Sequence, residues 1–183
     1  MRHEEETMAG VGLMTQDEAR RNREVLLEQE RILRYRGHFG AYDALELGRA
    51  AIDMIDDYEC GYTITITRER DGVAMFQWVD DAKGERNLAF AEGKRRSALE
   101  AGHASPWAEL DAAERGMDVE GYVFADVPRR VPACGAFPLR VGDDWVATIA
   151  VSGLMDGLDH EVIVRALERV LGVEAPRFAS GVM

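Results

Sequence analysis

The chain has 183 residues, 46% hydrophobic and 31% charged, with a formal net charge of −12. Such a length and composition describe one soluble globular domain with a single hydrophobic core. The acidic balance argues against nucleic acid and against an anionic membrane surface, since phosphate binding draws on a basic face. A small anion is held only where local cations overcome that global field.

Residues 1–14 show no period and carry Gly10 and Gly12; residues 1–16 read as a disordered N-terminus. Their acidic start, MRHEEETMAG, lacks the basic and then apolar run of a signal peptide, and no later stretch is long and apolar enough to span a bilayer. A cytoplasmic location follows as the expectation. Cys60 and Cys134 are too few for a zinc site and are expected to be reduced there.

Residues 17–36 are rich in Arg, Glu and Leu, a helical composition. Their narrow apolar stripe (Val25, Leu26, Leu27, Ile32, Leu33) predicts a peripheral or partner-facing helix. After Gly37-His38-Phe39-Gly40, residues Ala44, Leu45, Gly48, Ala51, Ile52 and Ile55 recur at helical spacing. The period then changes. Tyr62, Ile64 and Ile66 alternate with Thr63, Thr65 and Thr67, which predicts a strand with one apolar face. Asp71-Gly72 returns the chain into a second strand over residues 73–79.

A polar loop leads to a helix over residues 86–100, stopped by Gly102 as a left-handed cap. Ser105-Pro106 reads as the N-cap and first turn of a short helix through Glu114. Residues 122–127 suggest a short strand, and Pro128 and Pro132 exclude regular structure between them. Residues 137–141 and 145–151 form a hairpin around Gly142-Asp143-Asp144. The last helix carries a broad apolar face of Val162, Ile163, Ala166, Leu167, Val170 and Leu171. On its other side Glu161 and Arg165 are spaced for an i,i+4 ion pair. Hairpins with helices before, between and after them make the fold class α+β. Residues 37–175 are taken as its single domain and 176–183 as a tail.

Some residues stand out chemically. Lys94 shares a helix face with Phe90, Ala91, Ala98 and Ala101, so its ammonium needs a partner or a cavity. Arg96 has Glu92 and Glu100 four residues to either side, a ladder in water. Arg140 is a charge in an otherwise apolar strand, facing solvent or a pocket. The Ser152-Gly153 turn joins a strand to the last helix and is read as a wall, because Asp156 and Asp159 disfavour an anion at that helix start. It is no nucleophile elbow, since Gly-x-Ser-x-Gly is missing. His160 sits beside Asp159, with one of the two aspartates as the helix cap. His3, His38, His103 and His160 have no metal-ligand spacing, and no HExxH, P-loop or GxGxxG occurs.

The run ACGAFPLRVGDDWVATIAVSGLMDGLDHEVIVRALERVL, with Gly93-Lys94-Arg95 and Gly102-His103-Ala104-Ser105, resembles the heme-degrading-domain-like family. That family stands in the superfamily of the glycolate-operon protein G and the extracellular heme-binding sensor proteins. The likeness covers roughly residues 39–171. Gly93, where a basic residue is expected, Arg96, where a smaller polar one is usual, and Cys134, where relatives often carry glycine, depart from the pattern.

The resemblance implies an antiparallel sheet flanked by helices in a profilin-like arrangement. It further implies a homodimer or higher homo-oligomer, and a pocket for a small anionic or tetrapyrrole ligand. The family motif places Phe90, Lys94, Arg95, His103 and Ser105 in that pocket, and Arg140, Ser152, Gly153 and His160, singled out above from the residues themselves, would complete its wall. The cofactor is unknown, with heme admitted by the resemblance alone; heme would need an axial histidine, an apolar slot and cations for its propionates. Two further readings stand beside this one: a non-catalytic oligomeric scaffold or partner-binding protein, and a small-metabolite enzyme with Lys94 and His103 as base and electrophile.

Overall fold

Strict alternation in β1 (Thr63–Arg68) sends Ile64 and Ile66 to one side of a sheet and Thr63, Thr65 and Thr67 to the other. β2 (Val73–Val79) returns beside it, and β3 (Ala136–Val141) forms a second hairpin with β4 (Asp144–Ser152). Among the described residues these four strands pair antiparallel in the order β2-β1-β4-β3, so the second hairpin docks through β4 against the free side of β1. Register places Ile66 opposite Ile149 and Ile149 opposite Phe137, which gathers the large apolar side chains on one face. The chain is seen here as a computed structural model that describes residues 14–58, 60–117, 129–155 and 157–179. The strand expected at residues 122–127 and nearly all of the N-terminal segment lie outside these.

The large-residue face is covered by α2 (Ala41–Ile52) and α5 (Leu158–Leu171). Ala166 and Leu167 are fully buried there with Ile64, Ile66 and Ile149. The other face is thin. Ala136 and Ala150 meet Ala91 and Ala98 of α3 (Glu85–Ala101), with Trp145 packed at the margin. Small side chains on both partners let this helix lie close to the strands. An antiparallel sheet with helices on both faces is the α+β architecture expected.

Several local expectations are corrected. α1 (Gln16–Ile32) ends before residue 36, because Tyr35 leaves the helix to donate its backbone N–H to the Arg140 carbonyl at 2.9 Å. Its stripe is divided, since Leu26 and Leu33 are buried in this chain's own core while Leu27 stays 44% exposed. The helix also lies along α4 (Trp107–Glu114), with Arg23 bridging to Asp111 and Glu114.

Ser105 does not cap α4. Its hydroxyl donates to the Ala133 carbonyl and accepts from the Ala136 amide, tying the lead-in of β3 to the end of α3. Glu161 and Arg165 pair with Arg177 and Asp57 instead of each other, because the C-terminal segment and the turn after α2 supply closer partners. Of the Arg96 ladder only the Glu92 rung forms; Glu100 turns to Arg130. Gly157 occupies the N-cap of α5, so Asp159 is freed for another role. No helix of the described residues is long and apolar enough to cross a membrane.

Candidate functional site

At one end of the sheet, α3, the Val131–Cys134 lead-in and the turn from β4 into α5 enclose a cavity of about 400 Å³. Its floor is an ion pair between Lys94 and Asp159, each side chain only 6% exposed. Helical spacing puts Lys94 on the sheet side of α3, where Ala91 and Ala98 bring the helix near enough for the ammonium to reach the Val151 carbonyl at 3.1 Å. Asp159 Oδ1 accepts the Leu154 amide at 3.0 Å, so this carboxylate holds the turn after β4 with one oxygen and Lys94 with the other. Burial raises the Asp159 pKa, and the nearby ammonium and backbone N–H groups oppose that rise.

Gly135 packs against the pair. Its φ of +123° lies in the region that favours glycine, and a Cβ there would stand 2.5 Å from the Val151 carbonyl oxygen and 2.8 Å from Lys94 Nζ. Phe90, Leu154 and Met155 supply apolar wall, Ser152 and Asn87 polar wall. Arg86 reaches over the Phe90 ring, 5.7 Å from its centroid, and makes no ion pair among the described residues. Cys134 also lines the space, but burial pushes its thiol pKa up, which keeps it from acting as a thiolate.

Of the nine residues singled out in the sequence, the structure brings Phe90, Lys94, Ser152 and Gly153 together here. The other five lie elsewhere. Arg95 grips Glu69 through two hydrogen bonds of 2.5 and 3.0 Å, and Glu69 also accepts from Thr148. His103 Nδ1 is 2.9 Å from Glu30 Oε2, and its ring stacks on Trp107 at 4.0 Å. The convergence of Lys94 and His103 is therefore not found, because each has its own carboxylate on a different element. Arg140 donates to the Gly102 and Asp143 carbonyls and lies over Trp145. Ser105 acts on backbone only.

His160 is in the core. Gln29 donates its amide N–H to the Pro176 carbonyl and turns its oxygen to His160 Nε2, 2.8 Å away. That makes Nε2 the donor of a ring stacked on Phe178. Burial lowers its pKa to about 3.

Sequence reasoning missed Arg86, Asn87, Met155 and above all Asp159. A lysine on an apolar face calls for a buried carboxylate, and that demand was the available signal. A second cleft, about 510 Å³, opens between the turn after α2 and α5, but its arginines are already matched. Arg165 pairs with Asp57, Arg169 with Asp53, and Arg177 with Glu161 and Glu168. Among the described residues no cluster of His, Cys, Asp and Glu is arranged to hold a metal ion.

Comparison with known families decides the lineage, because the model of the haem degrading protein HbpS-like family matches residues 39–168. The chain belongs to that family. A UPF0303 protein of Streptomyces coelicolor is 32% identical over 148 residues, covering 80% of this chain and 92% of that protein. Among solved structures, the Ybr137w protein superposes with a TM-score of 0.70 at 22% identity, covering 82% of this chain and 88% of its own. A PduOC–heme complex follows at a TM-score of 0.59 and 17% identity, covering 72% and 94% respectively. At these identities the HbpS-like fold is what is shared.

Proposed function

We propose that this HbpS-like protein binds a small carboxylate-bearing molecule in the cavity between α3 and the turn from β4 to α5. The observation that carries the reading is Lys94. An ammonium has three donors, and the described residues take two of them, through Asp159 and Val151, while the side chain lines an open space. Among the described lining residues Lys94 and Asp159 cancel in charge and Arg86 adds one positive charge, enough for one carboxylate. The size of the space suits a small metabolite.

Heme, which one structural neighbour holds, does not fit this cavity as the described residues shape it. No histidine among the described residues lines the space. His103 is held by Glu30, and His160 is bonded to Gln29 with its Nδ1 sealed in the core. The donor set is a paired lysine, a thioether and a protonated thiol, which does not supply the axial histidine the resemblance called for.

The test is calorimetric titration and thermal shift with L-lactate and acetate. Saturable binding is expected, weakened about tenfold by Arg86→Ala, the size of one charge-assisted contact. Absence of saturable binding in the unaltered protein would remove the reading.

A further inference from the structure

The chain carries 22 Lys and Arg residues, of which only Lys83 and Lys94 are lysine. Both converge on the end of β4 and the turn that follows it. Lys83 Nζ donates to the Gly153 carbonyl at 3.1 Å, and Lys94 Nζ donates to the Val151 carbonyl and to Asp159. A sequence that uses arginine for nearly every other cation keeps a primary amine at the floor of its cavity. The two groups differ in one chemical respect that matters here. A guanidinium cannot release its proton and is no nucleophile, whereas a desolvated ammonium beside a carboxylate can pass its proton over and expose a lone pair.

We infer that Lys94 captures a small 2-oxo acid or carboxylate-bearing aldehyde as a reversible imine, with Asp159 carrying the proton. This rests on the carboxylate reading above and deepens it by naming the group that meets the floor. Arg86 takes the carboxylate and Lys94 meets the carbonyl carbon. The open side of Nζ is the cavity that Lys94 lines with Arg86, while Gly135 lets the backbone pack close behind the pair, where a Cβ would stand at 2.8 Å.

The ammonium first gives a proton to Asp159. The Nζ lone pair then forms a bond to the carbonyl carbon, the C=O π pair moves to oxygen, and a nitrogen proton follows it to give a carbinolamine. Asp159 returns its proton to that hydroxyl, which leaves as water while the nitrogen lone pair closes the C=N bond. The product is an iminium beside a carboxylate, the same net charge as the starting pair, and no oxidant or reductant is consumed. Burial of Asp159, which raises its pKa, supports its role as a proton carrier.

Trapping decides the matter. The full chain is incubated with pyruvate and cyanoborohydride, and peptide mass mapping locates the reduced adduct. Labelling of Lys94 at least about tenfold over the more accessible Lys83 is expected, since only Lys94 has the ligand held against it. L-lactate, which has the carboxylate but no carbonyl, should protect. Lys94→Arg should lose the adduct, with its melting temperature checked in parallel. An adduct on Lys83 or the α-amine with Lys94 unlabelled, while lactate still binds, overturns the imine and leaves the carboxylate site standing. If neither lactate nor pyruvate binds, both readings fall together.

Discussion

Lys94 in the middle of α3 and Asp159 in the first turn of α5, 65 positions apart in the chain, meet in an ion pair whose two side chains are each 6% exposed. The pair links the small-residue face of the sheet to the helix on its opposite face. It also sets the end of β4, through the Val151 carbonyl and the Leu154 amide. Such a pair adds little stability against an apolar substitute of the same shape, but breaking one half leaves a buried charge alone.

Lys94→Met is therefore expected to cost about 3–5 kcal/mol. Adding Asp159→Asn removes the stranded charge and keeps an oxygen for the Leu154 amide. The double variant should recover at least half of the loss in urea unfolding. Additive losses would show that the two residues act independently.

His160 and Glu109 give stability opposite slopes with pH. Burial holds the folded His160 pKa near 3 against an ordinary 6.5, so the unfolded chain binds more protons in between. Stability from this residue is full above pH 6.5 and falls by roughly 3 kcal/mol as pH drops to 4. Comparing wild type with His160→Gln across this range isolates the effect. A difference between them that does not change with pH would contradict the buried neutral ring.

Burial raises Glu109 to about 7 from an ordinary 4.5. The folded form keeps its proton where the unfolded form has lost it, so this contribution is present below pH 4.5 and is lost as pH rises through 7. One oxygen of the carboxyl is buried with no hydrogen-bond partner among the described residues. Glu109→Gln should exceed wild-type stability by about 1–3 kcal/mol above pH 7. Equal denaturation midpoints at pH 8 would count against it.

Leu167 is fully buried between α5 and the sheet. Leu167→Ala should cost about 2–5 kcal/mol, the range for a truncated core leucine. A loss under about 0.5 kcal/mol would mean that the helix does not dock through this side chain.

Gly135→Ala forces a Cβ to 2.5 Å from the Val151 carbonyl at a backbone angle side chains avoid. A loss of at least about 2 kcal/mol is expected, together with weaker carboxylate binding, because the same atom crowds Lys94. Unchanged melting and binding would refute the close approach.

Alternation in residues 63–67, the turn at Asp71-Gly72, the Gly102 cap and the apolar face of the last helix were legible in the sequence because each is a local rule of backbone geometry and side-chain period. The need of Lys94 for a partner was legible too, since an ammonium on an apolar helix face has nowhere else to go. Its partner was not. Asp159 looks like a helix cap in sequence, and only Gly157 at the N-cap frees it to turn inward. His103 follows the same logic in reverse. Its neighbours in the chain place it near Lys94, but Glu30 of α1, 73 residues away, holds it outside the cavity. Arg95 and His160 are likewise claimed by Glu69 and Gln29 from distant elements. The sequence determined which side chains must find partners, because burial of a charge or a polar ring is read from its own helix or strand. Which partner each one found was decided by strand order and helix docking, which bring together groups that no local spacing relates.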